Sequence, residues 1–342
     1  MTKSSFSLLP ADVRVLERGW LSSNNIVCLG DEPAIIDTGH VKHANQTVAL
    51  LQEQLGAKPL ATIAHTHLHS DHCGGTGTLQ NVWAETGAST LVPIESLSHV
   101  QTWDEDELTF GNTGQRCERF TASHALVPGE TVRLGNRAWE IHAAPGHDAL
   151  AVLLFEPTEG LLVAGDAMWE NGVGVIFPQI DGFQGGSMLQ RGSSPHVPEE
   201  PDADYASGLT DWFAPFLETL ALIEQLAPRV VIPGHGAPFS RHGGAMDAAF
   251  AAARQRIRYF RDHPAQHALY AAKVMIKYQL MDAESMPHAD FEAWLHSAPM
   301  LRVAHQQHRP DLSWDDWMET LLASLFDKGT LRRTATHVLD GR

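Results

Sequence analysis

Ten consecutive residues, Thr66-His67-Leu68-His69-Ser70-Asp71-His72-Cys73-Gly74-Gly75, constrain this chain more than any other feature. On an extended backbone His67 and His69, two positions apart, point the same way, and the Asp71-His72 pair that follows turns toward a neighbouring point. Four potential metal donors thus converge from six residues. Imidazole suits zinc, iron and other borderline cations, and a carboxylate adds a hard donor that neutralises charge and can orient water. The small apolar run before them, Leu60-Ala61-Thr62-Ile63-Ala64, reads as a strand that delivers a loop of side chains at its tip. The glycines behind let the chain enter a helix packed close to the ligands. Gly74-Gly75-Thr76-Gly77 follows without a lysine and reads as packing rather than as a phosphate loop. Cys73 reads as a small buried thiol under the loop rather than as a ligand.

The rest of the chain supplies the frame. Ile26 to Leu29 and Ala34 to Ile36 read as two strands joined by a turn, and Val48, Leu51 and Leu55 recur at helical spacing before a capping Gly56. Val82-Trp83-Ala84 and Thr90 to Pro93 continue the strand alternation. His99 to Pro128 is polar and mixed, and its charge run at Trp103 to Glu107 reads as solvated surface. Thr131 to Leu134 and Ala138 to His142 form a hairpin around Gly135-Asn136. Ala151 to Phe155 and Gly160 to Ala164 form another pair. Gly182 to Tyr205 reads as a long loop, a lid beside the site. A helix over 211–227 and a strand at Val230 to Ile232 follow. After Gly243-Gly244 the texture turns alanine-rich and helical, with helices expected at 245–262, 265–281 and 313–327, a small β-wing to Leu339, and no other strand. A boundary near Ser240 divides the chain into residues 1–240 and 241–342. Many short strands interrupted by helices imply an α/β protein with sheets packed face to face and helices outside.

The charge balance of 24 Lys+Arg against 41 Asp+Glu, net −17, disfavours nucleic acid as a partner, because backbone binding is driven by basic side chains that release counterions. No stretch approaches the ~18 apolar residues needed to span a bilayer, and the N-terminus does not read as a secretory signal, so a cytoplasmic protein is expected. Cys28, Cys73 and Cys117 are odd in number and widely spaced, which reads as free thiols rather than a disulfide framework. The 20 histidines decide nothing by count. His124, His142 and His196 lack motif context and read as surface or core. No Gly-x-Ser-x-Gly elbow, Walker loop or dinucleotide fingerprint competes with the histidine cluster.

Here the chain resembles the metallo-β-lactamase superfamily, which carries a His-x-His-x-Asp-His motif, an isolated Gly-His, a strand-end Asp and a late Gly-His. His147 after Pro145-Gly146, Asp166 after Gly165 and His235 after Gly234 stand in that order, and Asp37 in Ile36-Asp37-Thr38-Gly39 matches the early Asp. The resemblance covers roughly residues 20 to 240. It implies an αββα sandwich followed by a mainly helical, winged-helix-like C-terminal domain. It also implies that His67, His69 and His147 hold one divalent ion, that Asp71, His72 and His235 hold a second, and that Asp166 bridges the two. Asp37 would support the histidine loop from beneath, or serve only its own turn. Zinc is the first expectation, with iron and manganese open.

The resemblance further implies hydrolysis by a hydroxide between paired cations, positioned by the catalytic Asp71 or Asp166, with no serine or cysteine nucleophile. The pattern is similar to hydroxyacylglutathione hydrolases with helical C-terminal domains. A small-molecule thioester is therefore the first expected substrate and an ester or lactone the runner-up. An RNA-processing nuclease and a non-catalytic metal-binding module are the readings from other classes. Trp169, Asn171, Phe177 and Tyr205 follow Asp166 and are candidates for the substrate pocket, with ordinary loop packing as the alternative. A homo-oligomer is left open.

Overall fold

A computed structural model describes residues 8–176 and 213–341. The expected lid at Gly182 to Tyr205, the pocket candidates Phe177 and Tyr205, and His196 lie outside the described residues. The first sheet runs in sequence order through β1 (Val13–Leu16), β2 (Asn25–Cys28), β3 (Ala34–Ile36), β4 (Thr62–Ala64), β5 (Ser89–Pro93) and β6 (His124–Leu126). Its first three strands are antiparallel, and β3 to β6 are parallel. The second sheet comprises β7 (Thr131–Leu134), β8 (Arg137–Ala143), β9 (Val152–Glu156), β10 (Leu161–Gly165), β11 (Val230–Pro233) and β12 (Phe239–Ser240), again in sequence order. Only its β10–β11 pair is parallel.

Period-two alternation sorts the side chains into layers. Ile26, Cys28, Ile36 and Ala64 face inward, against Trp139, Ile141, Leu154, Val163 and Ile232 of the other sheet. Their neighbours Val27, Ile35 and Ile63 face outward, onto Leu51 and Leu55 of α1 (Ala44–Leu55) and Leu79 of α3 (Thr76–Val82). The one-turn helix α2 (Ser70–Cys73) lies between these two helices in sequence. On the second sheet Leu153, Phe155, Leu162 and Val231 face outward, onto Phe216, Leu220 and Ile223 of a later helix over Phe213–Leu226. These are the four layers, helix, sheet, sheet and helix, that the strand pattern implies.

The polar-looking stretch after β5 holds two short helices, α4 (Leu97–Thr102) and α5 (Phe110–Thr113). Val100, Leu108 and Phe110 pack with Leu68, Cys73, Val92 and Phe120 beneath the histidine loop. The helix over Phe213–Leu226 is α6, and α7 (Ala245–Asp262), α8 (Pro264–Ala283), α9 (His288–Ser297), α10 (Pro299–His308) and α11 (Trp314–Asp327) follow. Met246, Ala249, Phe250, Ala253 and Ile257 of α7 belong to the core of the second sheet, although they follow Ser240. The remaining helices enclose a separate core around Ile276, Leu280, Leu295, Leu301, Trp317 and Leu321. It is closed by β13 (Ser285–Pro287), β14 (Leu331–Arg333) and β15 (His337–Asp340).

Two expectations are corrected. Val82-Trp83-Ala84 is not a strand: Val82 ends α3, whose Thr76 and Leu79 recur at helical spacing and are buried, Leu79 against Leu51 and Leu55 of α1. The tail is not strand-free before its end, since Ser285–Pro287 pairs with His337–Leu339. Three residues ending in proline carry too little alternation to read as a strand without their partner.

Phe216 is fully buried, and Gly146 approaches it so closely that a Cβ there would stand 2.5 Å from the ring. Phe216→Ala should therefore cost about 3–5 kcal/mol through lost transfer energy and an unfilled cavity. A urea unfolding midpoint unchanged from the parent would contradict this.

Candidate metal centre

The candidate donors leave the carboxyl ends of strands. Asp37 follows β3, the histidine loop follows β4, His147 lies just beyond β8, Asp166 follows β10 and His235 follows β11. Because β8, β10 and β11 share one direction and β3 and β4 share another, five loops open at the end of the sandwich where the sheets meet. The seven residues form two groups, His67, His69 and His147, and Asp71, His72, Asp166 and His235. Within each group the donor atoms lie within 4.8 Å of one another.

In the first group His69 Nδ1 stands 3.2 Å from His67 Nε2 and 2.9 Å from His147 Nε2. In the second, His235 Nε2 stands 3.1 Å from Asp71 Oδ2, and His72 Nε2 stands 3.3 Å from Asp166 Oδ1. Asp166 joins the groups, with Oδ2 3.5 Å from His147 Nε2 and 3.8 Å from His235 Nε2. Close approach depends on Gly234, where a Cβ would stand 2.2 Å from Asp166 Oδ1 and 2.8 Å from His72 Cε1.

The far side of several rings is tied down, which fixes tautomer and direction. His72 Nδ1 faces Asp37 Oδ2 at 2.9 Å, His147 Nδ1 donates to the Val175 carbonyl at 2.5 Å, and His69 Nε2 lies 3.6 Å from Asp148. Asp37 is fully buried and also accepts from the Thr66 backbone N–H and hydroxyl, at 2.9 and 2.8 Å. Its carboxylate thus lies beneath the histidine loop, and its backbone occupies the left-handed region at φ 57°, which Asp tolerates better than most side chains.

Electrostatics follow from this packing. Burial, reinforced by the neighbouring rings, holds His67 well below the usual imidazole value, and burial and His69 take His147 down to about 4. Burial alone would depress His72, but Asp166, Asp37 and Asp71 outweigh it and raise that ring well above its ordinary value. Burial opposes ionisation of Asp71 and Asp166, yet His72 and His235 overcome it, taking Asp71 to about 2 and Asp166 well below the carboxylate range. His72 Nε2 is buried with no hydrogen-bond partner while carboxylate oxygens stand at 3.3 and 3.8 Å. An orphaned imidazole nitrogen aimed at ionised carboxylates is costly by itself and fits a cation between them.

A cavity of about 680 Å³ opens over these donors. Trp20 stacks on His235 with centroids 5.4 Å apart, Trp169 meets both rings edge-on, and the Trp169 indole donates to Asp166 at 3.3 Å. Trp169 and Asn171 are among the residues that line the cavity. The far wall comes from α7 and α8, with Arg256, Tyr270, Lys273, Val274 and Tyr278. The Tyr278 hydroxyl lies 2.7 Å from Ser70 Oγ in the histidine loop. Sequence reasoning missed Trp20, Asp148 and this helical wall. Asp148 was signalled only by its place directly after His147; Trp20 and the wall carry no local signature. His142 lies on β8 near Glu140 and His124 is exposed on β6, and neither belongs to the two donor groups.

Residues 18–235 match the family model of the metallo-beta-lactamase superfamily. Hydroxyacylglutathione hydrolase of Legionella pneumophila (strain Lens) is 27% identical over 118 residues, 34% of this chain, and the match spans only 37% of that relative. The probable metallo-hydrolase YqjP of Bacillus subtilis (strain 168) is 22% identical over 252 residues, covering 66% of this chain and 71% of that one. Among solved structures, a metallo-beta-lactamase family protein from Thermus thermophilus superposes with a TM-score of 0.51 at 20% identity, covering 98% of this chain and 100% of the other. FEZ-1 metallo-beta-lactamase from Legionella gormanii gives 0.51 at 13% identity over 72% of this chain and 92% of its own. These structures agree with the sandwich fold. Among the described residues no helix is long and apolar enough to cross a membrane.

Removing the carboxylate beneath the loop should loosen the second group. Asp37→Ala is expected to cost about 10–100-fold in metal affinity, read by chelator competition. A further expectation concerns acid. His67, His69 and His147 are depressed in the folded chain, so their contribution is intact above the ordinary imidazole value and is lost as pH falls toward about 4. His72 is raised and acts in the opposite sense, losing its contribution as pH rises. Below the ordinary imidazole value His72 is protonated in both folded and unfolded chain, so the depressed rings set the slope and the urea midpoint of metal-free protein should drop as pH falls from about 6.5 to about 4; a flat midpoint would contradict it.

Proposed function

We propose, from the premise that this chain belongs to the metallo-β-lactamase superfamily, that it is a metal-dependent hydrolase whose substrate is a small-molecule thioester. The observation that carries the reading is the position of Asp166, whose two oxygens face rings of both donor groups. His67, His69 and His147 would hold one divalent ion, Asp71, His72 and His235 a second, and Asp166 both, with zinc as the natural choice for imidazole and carboxylate donors. When bound, such ions supply Lewis acidity, which brings the pKa of water to near neutrality and polarises a carbonyl oxygen.

The chain's own residues supply the rest. Asp71 and Asp166 are held ionised, so either can orient a water, and neither carries a proton to give to a leaving group at neutral pH. The Tyr278 hydroxyl, kept protonated by burial, is engaged with Ser70. A thiol, with a pKa of about 8.5, leaves as its anion without help, whereas an alkoxide needs a proton, and this favours a thioester over an ester or lactone. Trp20 and Trp169 offer an aromatic corner to an apolar acyl group. On the opposite wall Arg256 and Lys273 line the cavity in a chain of net charge −17. Among the described residues no ion pair engages either one; Arg256 rests over the Tyr270 ring. Two cations retained there suit a carrier thiol that bears a carboxylate. In this reading residues 1–240 carry the ligands and residues 241–342 complete the carrier side.

The metal-loaded protein should turn over an S-acyl thioester of a carboxylate-bearing thiol faster than the same acyl group on a neutral thiol, an oxygen ester or an acyl-homoserine lactone. Arg256→Ala should raise KM for the anionic carrier about tenfold or more, the worth of one charge-assisted hydrogen bond, with little change for the neutral carrier. His69→Ala should lose metal, measured by elemental analysis, and turnover together. Hydrolysis of the lactone without hydrolysis of either thioester would overturn the assignment.

A further inference from the structure

The hydrolytic reading makes no use of two cysteines that the fold brings together from 44 residues apart. Cys73 closes α2, directly after His72, and is fully buried. Cys117 lies in the irregular segment between α5 and β6 and is half-buried. Their sulfurs stand 3.7 Å apart. Cys73 Sγ also contacts the Leu68 carbonyl and Cys117 Sγ the Glu118 carbonyl, at 3.3 and 3.5 Å, so no large side chain separates the thiols. The third cysteine, Cys28, is buried between the sheets in β2, with no sulfur partner among the described residues.

We infer that Cys73 and Cys117 are a redox modification site that closes to an intramolecular disulfide when the protein meets a peroxide. Bonded sulfurs lie about 2.05 Å apart, so they must approach by a further ~1.7 Å. The two sides are unequal in their freedom to move. Around α2 the backbone is crowded: a Cβ on Gly74 would stand 2.4 Å from the Ser70 carbonyl and 2.5 Å from the Val41 nitrogen, and His72 is anchored by Asp37. Cys117 lies on a stretch with no helix or strand hydrogen bonding, so the remaining approach falls to its side of the pair.

Access decides the order of events. Cys117 lines an open surface cavity of about 520 Å³ with Val41, Phe110 and Arg116, whereas Cys73 has no exposed surface. The Cys117 sulfur attacks one peroxide oxygen and becomes a sulfenic acid, and the O–O bond breaks to release an alcohol, or water from hydrogen peroxide. The Cys73 sulfur then attacks the Cys117 sulfur, the S–S bond forms and a water leaves. Two thiols lose two electrons and two protons in total, and the peroxide is reduced by the same two electrons.

The bond would join the helix that carries Asp71 and His72 to the segment that carries Gln115 and Arg116. Gln115 Oε1 already accepts the Ser70 N–H at 2.9 Å, and Arg116 pairs with Asp282 of α8 at 2.6 Å. Oxidation would therefore fasten covalently the contact between the histidine loop and the segment that reaches α8, a contact that now rests on a hydrogen bond.

The test treats the purified, metal-loaded full chain with equimolar hydrogen peroxide and reads free thiols, intact mass and a non-reducing peptide map. Free thiols should fall from three to one, in line with the three cysteines of the chain, and the mass should fall by about 2 Da for two hydrogens lost. The map should join Cys73 to Cys117, and dithiothreitol should reverse all three. Cys28→Ser should still form the bond. Cys117→Ser, at the half-exposed position least able to disturb folding, should keep both remaining thiols reduced. Retention of all three thiols, oxidation of Cys28 ahead of the pair, or a cross-linked dimer would each overturn the inference. None of these readouts depends on the substrate, so a failed hydrolysis assay leaves the result intact.

Discussion

The candidate centre depends on one buried carboxylate. Asp37 leaves the end of β3, and its oxygens accept from the backbone and hydroxyl of Thr66 and face His72. A loop that carries this many imidazoles cannot be ordered by imidazoles alone, because each ring has two nitrogens and only one can face the pocket. An anion beneath the loop selects which one. It also raises the His72 pKa and compensates part of its burial, so a charge that would be expensive alone becomes part of a balanced set with Asp71 and Asp166. His65, packed beside Asp37 at 3.7 Å and bonded to Thr76 at 2.9 Å, extends the support to the start of α3.

Around that support the backbone does much of the positioning. Gly234, Gly174 and Gly146 each allow an approach that a side chain would block: Gly234 and Gly174 against Asp166, and Gly146 against Phe216. The consequence is that loops from two different sheets deliver donors to one place with little adjustable structure between them. A rigid frame of this kind holds ligand atoms in register, whereas variation falls to the cavity walls. Here those walls are unlike each other: Trp20 and Trp169 form an aromatic side next to His235, and α7 and α8 form a side with cations on it.

The helical region is therefore more than an attachment. Tyr278 reaches Ser70, Arg116 reaches Asp282 and Lys42 reaches Glu284, so α8 and its C-terminal end are bonded to the loop that carries the histidines and to the segments beside it. The apolar face of α7 is continuous with the core of the second sheet. The cavity lies at the seam between the sandwich loops and α7 and α8, where packing and polar contacts meet.

The histidine loop was legible from its own spacing at the end of an apolar run, whereas Asp37, His147, Asp166 and His235 were picked out by their order in the motif series of the superfamily that the chain resembles. The apolar runs at Ile26 to Leu29 and Ala151 to Phe155 likewise marked strands, and the structure then assigned their alternate residues to different cores. Trp20, Arg256, Lys273 and the Cys73–Cys117 pair were not legible as parts of one site, and Val82 to Ala84 was read as a strand when it closes a helix. Their roles come from contacts across tens to hundreds of residues, and a residue's own neighbours in sequence carry no record of what lies opposite it in space. Strand periodicity and ligand spacing are local properties of the chain, so sequence alone determined them; the composition of the cavity is a property of the packing, and only the tertiary structure decided it.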